Sequence, residues 1–177
     1  RLYGGLDARS FLGYAVYHFF QNGGTEAYIV RLVADDSGFS TAALNDLALT
    51  ATGPGKWADD YKAVVRNVTG GLFGLDIVWI DPADNTNTVV VESFENLSVD
   101  ATHPRFAETL LNQDSQIVNA KVNNSGATPP VAGETDLAGG ADGAVLRPED
   151  TAAFVAAMNG NAKNKGLPGL ADVDLFN

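Results

Sequence analysis

Phe73-Gly74-Leu75-Asp76-Ile77-Val78-Trp79-Ile80 is the stretch on which the fold turns. Successive side chains of an extended chain point to opposite faces, so Phe73, Leu75, Ile77 and Trp79 line one side while Gly74 and Asp76 begin the other. That alternation predicts a strand with one buried face. Asp81-Pro82-Ala83-Asp84-Asn85-Thr86-Asn87 follows, a cluster of residues whose side chains and fixed dihedrals favour turns. Residues 88–94 return to β-branched and aromatic types. Two strands around a polar turn predict a hairpin with a long loop.

Upstream, residues 47–52 and 61–68 read as further strands, separated by a Gly53-Pro54-Gly55 turn and closed by Thr69-Gly70-Gly71. Residues 8–22 place Leu12, Ala15, Val16, Phe19 and Phe20 at helical spacing. Asp7 or Ser10 would cap that helix, and Gly23-Gly24 would supply the left-handed turn that ends it. Tyr14 and Tyr17 fall on its other flank, so the helix is apolar over most of its girth and is expected to be covered on more than one side. Residues 27–33, Ala-Tyr-Ile-Val-Arg-Leu-Val, read as a buried strand, completing an α–turn–β unit.

Downstream, a helix is predicted over 104–112, with Pro104 in its first turn and Phe106, Leu110 and Leu111 facing inward. A short strand follows at 117–122. Residues 123–146 hold Asn, Ser, Gly, Thr and Pro with few large apolar side chains, and read as an exposed loop or insertion. A last helix is predicted over 148–159, packing through Phe154, Val155 and Met158 and ended by Gly160. A final strand is expected at 172–176. The fold class is α+β (mixed α/β): a central mixed sheet flanked by helices, with some parallel pairs because strands and helices are interspersed. Residues 1–177 read as a single fragment of a longer protein, because the chain starts at Arg1 and ends on an apolar run.

Composition narrows the function. Eleven basic residues face 22 acidic ones, a formal net charge of −11. Nucleic-acid binding requires a cationic surface that displaces counterions, and docking on anionic lipid requires the same sign, so both are excluded as expectations. The sequence contains no cysteine, which removes disulfides, thiolate chemistry and Cys-ligated zinc.

The search for chemistry returns no catalytic, cofactor-binding or metal residue. Gly55-Lys56 resembles a phosphate loop, but Thr50 stands where its first glycine belongs and Trp57 where its magnesium-ligating hydroxyl belongs. His18 sits in an apolar helix and His103 just before a helix start; neither has a nucleophile motif nearby. Asp81, Asp84, Asn85 and Asn87 lack the glycine and closing glutamate of a calcium loop, and residues 136–142 fail the same test. Tyr14, Tyr17, Phe19 and Phe20 could stack bases, yet no cationic groove accompanies them. Asn67-Val-Thr69, Asn96-Leu-Ser98 and Asn123-Asn-Ser125 match the glycosylation acceptor, a pattern short enough to arise by chance.

One longer pattern carries more. Residues 12–31, Leu-Gly-Tyr-Ala-Val-Tyr-His-Phe-Phe-Gln-Asn-Gly-Gly-Thr-Glu-Ala-Tyr-Ile-Val-Arg, resemble a hallmark of contractile tail sheath proteins: a helix ending in Phe-Phe, then Asn-Gly-Gly, then a Tyr-x-Val-Arg strand. Leu49-Thr50-Ala51 with Gly53-Pro54-Gly55-Lys56-Trp57 is similar to a second sheath pattern, although the family continues with Gly-Asn where this chain has Ala58-Asp59. Val89-Val90-Val91-Glu92-Ser93-Phe94-Glu95-Asn96-Leu97-Ser98, Gly139-Gly140-Ala141-Asp142-Gly143 and Asp174-Leu175-Phe176-Asn177 resemble further family segments in the same order.

The resemblance implies a structural subunit, not an enzyme. Such subunits stack as sixfold helical rings around an inner tube and contract to drive it through a target envelope. The implied partners are other sheath subunits, the inner tail tube protein, and baseplate and tail terminator proteins. The implied location is a virion tail assembled in the bacterial cytoplasm. A bacterial contractile injection system would use the same subunit. Two other classes stay open on the residues alone: a small-molecule-binding α/β enzyme domain, and a binding module that reads through the 123–143 loop.

Overall fold

The computed structural model describes residues 11–124, 128–160 and 166–172. Helix α1 (Phe11–Gln21) comes first. Strands β1 (Thr41–Leu44) and β2 (Leu47–Ala51) form a tight hairpin, and a 3-10 turn over Lys56–Asp60 leads into β3 (Tyr61–Thr69). Strands β4 (Leu72–Asp81) and β5 (Asp84–Ser98) form the predicted hairpin. Helix α2 (Ala107–Asp114), β6 (Val118–Val122), β7 (Gly133–Asp136) and helix α3 (Thr151–Asn159) follow, with a 3-10 turn at Leu167–Asp172.

The strands make two sheets, ordered β1-β2-β6 and β5-β4-β3-β7. Every ladder in both is antiparallel. The α+β class therefore holds, but the central mixed sheet does not: the one parallel pairing among the described residues is the isolated bridge Ser98–Phe106. Helices do not cross between neighbouring strands here. Tight turns join β1 to β2, β3 to β4 and β4 to β5, and a short turn can only join antiparallel neighbours.

The alternation in β4 predicted its inner face. Phe73, Leu75 and Ile77 are buried in one core with Leu47 and Leu49 of β2, Val118 of β6, Ala63 and Val65 of β3, and Leu97 of β5. Helix α2 closes this core with Ala107 and Leu111. Phe106 and Leu110, expected on that face, are half-buried, because the helix begins three residues later than Pro104 suggested. All 18 residues of the buried cluster lie between Ala42 and Leu137.

Several expectations are corrected. The β4–β5 loop is short, since Asp81 pairs with Asp84 across Pro82-Ala83. The Asp81 carboxylate accepts the Ala83 amide, and Asp84 accepts both the amide and hydroxyl of Thr86, so side chains tighten the turn and release residues 84–87 to the strand. Bulges in the β4–β5 ladder then let β5 run to 15 residues against 10. Strand β1 is an unexpected element, because Thr-Ala-Ala-Leu is a composition that does not favour strands. The 123–146 segment is exposed over most of its described residues, but it is not wholly irregular: it contains β7 on the edge of β3, with Pro130 and Leu137 buried. Gly-Glu-Thr-Asp reads as turn chemistry, yet polar side chains suit an edge strand with a solvated face.

The flanks differ most. Helix α1 ends as predicted: the Gly24 amide bonds Phe19 O and the Gly23 amide bonds Phe20 O, with Gly23 at φ 89°. No residue of α1 is buried, however, and Phe11, Tyr17, Phe19 and Phe20 are each close to half exposed or more. Residues 27–33 form no strand, and no strand among the described residues lies alongside them to complete a ladder; Val33 alone is buried there. In α3 Ala157 is the buried residue, while Phe154 and Met158 are half-buried and Val155 is exposed. The strand expected at 172–176 lies almost wholly outside the described residues.

Candidate functional site

The chain enters the two-sheet module through residues 35–41 and leaves it through 138–144, and these two crossings lie side by side. Thr41 and Ala138 exchange backbone hydrogen bonds (2.8 and 3.0 Å), as do Gly38 and Ala141 (2.8 and 3.1 Å). Gly38 O also accepts the Gly55 amide at 2.8 Å.

Three carboxylates tie the crossings together. Asp36, inbound, accepts the outbound Ala144 amide at 3.0 Å. Asp142, outbound, accepts the Lys56 amide at 2.8 Å. Asp59 takes the Ser40 hydroxyl at 2.8 Å and the Gly140 amide at 3.0 Å. Arg31 adds a fourth tie, donating from Nη1 to Pro54 O at 2.8 Å. Trp57 Nε1 donates to Gly53 O and holds the turn closed.

Glycine is required at the centre. A Cβ on Gly140 would lie 2.4 Å from Gly55 O and 2.5 Å from Ser40 Oγ, inside contact distance. Gly55 itself has φ 119°, a region closed to side chains with a Cβ. The backbone amides of Gly55 and Lys56 are spent on Gly38 O and Asp142, so this loop offers no amide cradle to a phosphate.

A second polar cluster sits on the outer face of the β3–β4–β5 sheet. Arg66 grips Asp76 with two hydrogen bonds (2.7 and 2.8 Å) and also donates to Ser93 Oγ (2.9 Å) and Glu95. The guanidinium holds the Asp76 carboxyl below the usual carboxylate range, and the two carboxylates raise the Arg66 pKa in turn. The adjacent Glu92 accepts the Ser115 hydroxyl (2.6 Å) and the Gln116 amide (2.8 Å), fastening β5 to the loop before β6. Asn96 has φ 55°, a left-handed conformation that asparagine tolerates. Leu97 and Ser98 are buried.

The residues singled out for chemistry are dispersed. His18 lies exposed on α1, edge-on to Tyr17, and His103 Nδ1 accepts the Arg105 amide at 3.1 Å. The turn carboxylates Asp81 and Asp84 are occupied by their own loop, with Asn87 also donating to Asp81. Among the described residues, no three His, Cys, Asp or Glu side chains converge as a metal would need. Asn67, like Asn96, takes a left-handed φ (54°), which accounts for two of the three glycosylation-type asparagines by backbone geometry. An open cleft of about 640 Å³ lies between the Asp35–Asp36 turn and the start of α3, lined mostly by alanine and aliphatic side chains. Among the described residues no helix is long and apolar enough to cross a membrane.

Sequence reading misses the junction, although its parts are visible as two separate patterns, Gly-Pro-Gly-Lys-Trp and Gly-Gly-x-Asp-Gly. Nothing local signals that segments more than eighty residues apart meet.

No protein-family model matches the chain, and no curated protein does. Among solved structures it is similar to the sheath tail protein of Desulfitobacterium hafniense, at 16% identity and a TM-score of 0.42, over 70% of this chain. The chain spans about a quarter of that protein's length.

Proposed function

We propose that this chain is part of a contractile tail sheath subunit, a structural protein that polymerises with copies of itself around an inner tube. One observation supports this reading most. Three of the five segments that carry the sequence resemblance, far apart along the chain, contribute residues to one junction: Arg31, Pro54-Gly55-Lys56 and Gly140-Ala141-Asp142. A chance likeness of short patterns has no reason to converge in space. The Val-Glu-x-Phe-x-Asn-Leu-Ser segment adds to this, because Glu92, Asn96, Leu97 and Ser98 each meet a specific structural demand.

On this reading the protein has no catalytic role, and its free energy of action is stored in subunit contacts that have two stable arrangements. Its partners are neighbouring sheath subunits, the tube protein, and the baseplate and terminator of a virion tail. Negative-stain electron microscopy of the natural full-length protein, alone and with its tube protein, tests this. Hollow sixfold sleeves are the expected outcome; a monodisperse globule under both conditions would refute the reading. Neighbouring genes for a capsid or for a toxin payload then separate a phage from an injection system.

A further inference from the structure

We infer that the junction locks the β-module (residues 41–138) in one orientation on its flanking segments, with Asp59 and Asp142 as positioning residues. The two chain crossings alone form a two-stranded ribbon, held by the Thr41–Ala138 and Gly38–Ala141 pairs. A ribbon of that kind twists and bends readily about its own axis. Gly139, with φ 90° and open space around it, lies within it and lacks the side chain that would restrict such motion.

Fixing a rigid body requires ties away from that axis, and the structure supplies them through the 53–59 segment. Asp142 reaches out to the Lys56 amide, Gly38 O to the Gly55 amide, and Arg31 to Pro54 O. Asp59 reaches back to both crossings at once, through Ser40 inbound and Gly140 outbound. These bonds meet the module along the 54–59 segment, at Pro54, Gly55, Lys56 and Asp59. Close packing reinforces them, since Gly140 sits against Gly55 O with no room for a methyl group. The junction carboxylates stand outside the module's core: Asp59 and Asp142 are both exposed, although Ala58, beside Asp59, belongs to that core. Orientation and folding are therefore separable, and loss of Asp59 and Asp142 frees the first without destroying the second.

The absence of cysteine makes this directly measurable. Spin labels at Asn85→Cys, at the start of β5, and Ala153→Cys, on α3, report module against flank. A control pair at Asn85→Cys and Thr109→Cys, on α2, reports the module alone. Pulsed dipolar spectroscopy on the whole chain is expected to give one narrow module-to-flank distance. In the D59A/D142A double variant that distribution roughly doubles in width or splits, while the control pair stays narrow. Three results would overturn the inference: a broad module-to-flank distribution before substitution, an unchanged width in the double variant, or a control pair that broadens as well. The last would assign the carboxylates to folding.

Discussion

Leu75→Ala and Phe20→Ala, compared side by side, test where the stability of this chain resides. Both side chains are large and apolar, and helical spacing or strand alternation marks both as core. The structure separates them. Leu75 is 0% exposed between the sheets, whereas Phe20 is 48% exposed on a helix with no buried residue. Leu75→Ala removes three carbons, about 0.8 kcal/mol each in transfer terms, and leaves a cavity walled by Phe73, Ile77 and Leu97 that cannot fully collapse. The expected loss is about 3 kcal/mol. For a cooperative unit of roughly 100 residues each kcal/mol lowers Tm by about 4–8 °C, so Leu75→Ala should melt roughly 12–24 °C below the parent. Phe20→Ala leaves no cavity, and a surface substitution of this kind changes stability by about 0.5 kcal/mol or less. Thermal unfolding followed by far-UV circular dichroism measures both. Equal destabilisation by the two substitutions would refute the assignment of the core to the β-module and restore the covered helix that the sequence suggests.

Further outcomes follow from the same geometry. Gly140→Ala forces a methyl group against Gly55 O and Ser40 Oγ and should cost about 1–3 kcal/mol in a urea titration, while Gly53→Ala, outside the positive-φ region and with its nearest neighbour at 3.6 Å, serves as the tolerant comparison. Residues 38–142, expressed alone, should fold with a cooperative melt, because the buried cluster is wholly inside them and their ends lie side by side; a molten, non-cooperative product would count against a self-contained module. The folded pKa of Asp76 lies below its unfolded value of about 3.9, so its ion pair with Arg66 contributes stability above that pH and loses it as pH falls through the folded value. Urea midpoints should therefore drop on acidification below about pH 4, and Arg66→Met should flatten that drop; an identical acid dependence in the variant would exclude the pair as its source.

Strand β4 was legible because its apolar residues alternate, and alternation is fixed by the pleat whatever lies next to the strand; β3 and β5 were legible from β-rich composition bounded by turn residues. Helix α1 and its Gly23-Gly24 end were legible for a similar reason, since helical spacing and the left-handed cap are local. Strands β1 and β7 were not. Thr-Ala-Ala-Leu and Gly-Glu-Thr-Asp have no strand preference of their own, and become strands only because β2 and β3 offer them a ladder. The converse failed at residues 27–33, where strong β composition finds no partner strand among the described residues. The junction was readable as two glycine patterns and unreadable as a site.

The sequence by itself determined the α+β class, Phe73, Leu75 and Ile77 as the inner face of β4, and the glycine ends of α1 and α3. These rest on local stereochemistry and on composition, which need no knowledge of distant contacts. Tertiary structure alone decided which strands pair, that the sheets are antiparallel and separate, and that the core excludes α1. It also brought Arg31, Asp59 and Asp142 to one junction. Hydrogen-bonded pairing and close packing are relations between distant segments, and a backbone amide has the same chemistry anywhere in the chain until folding brings a particular carbonyl or carboxylate within reach of it.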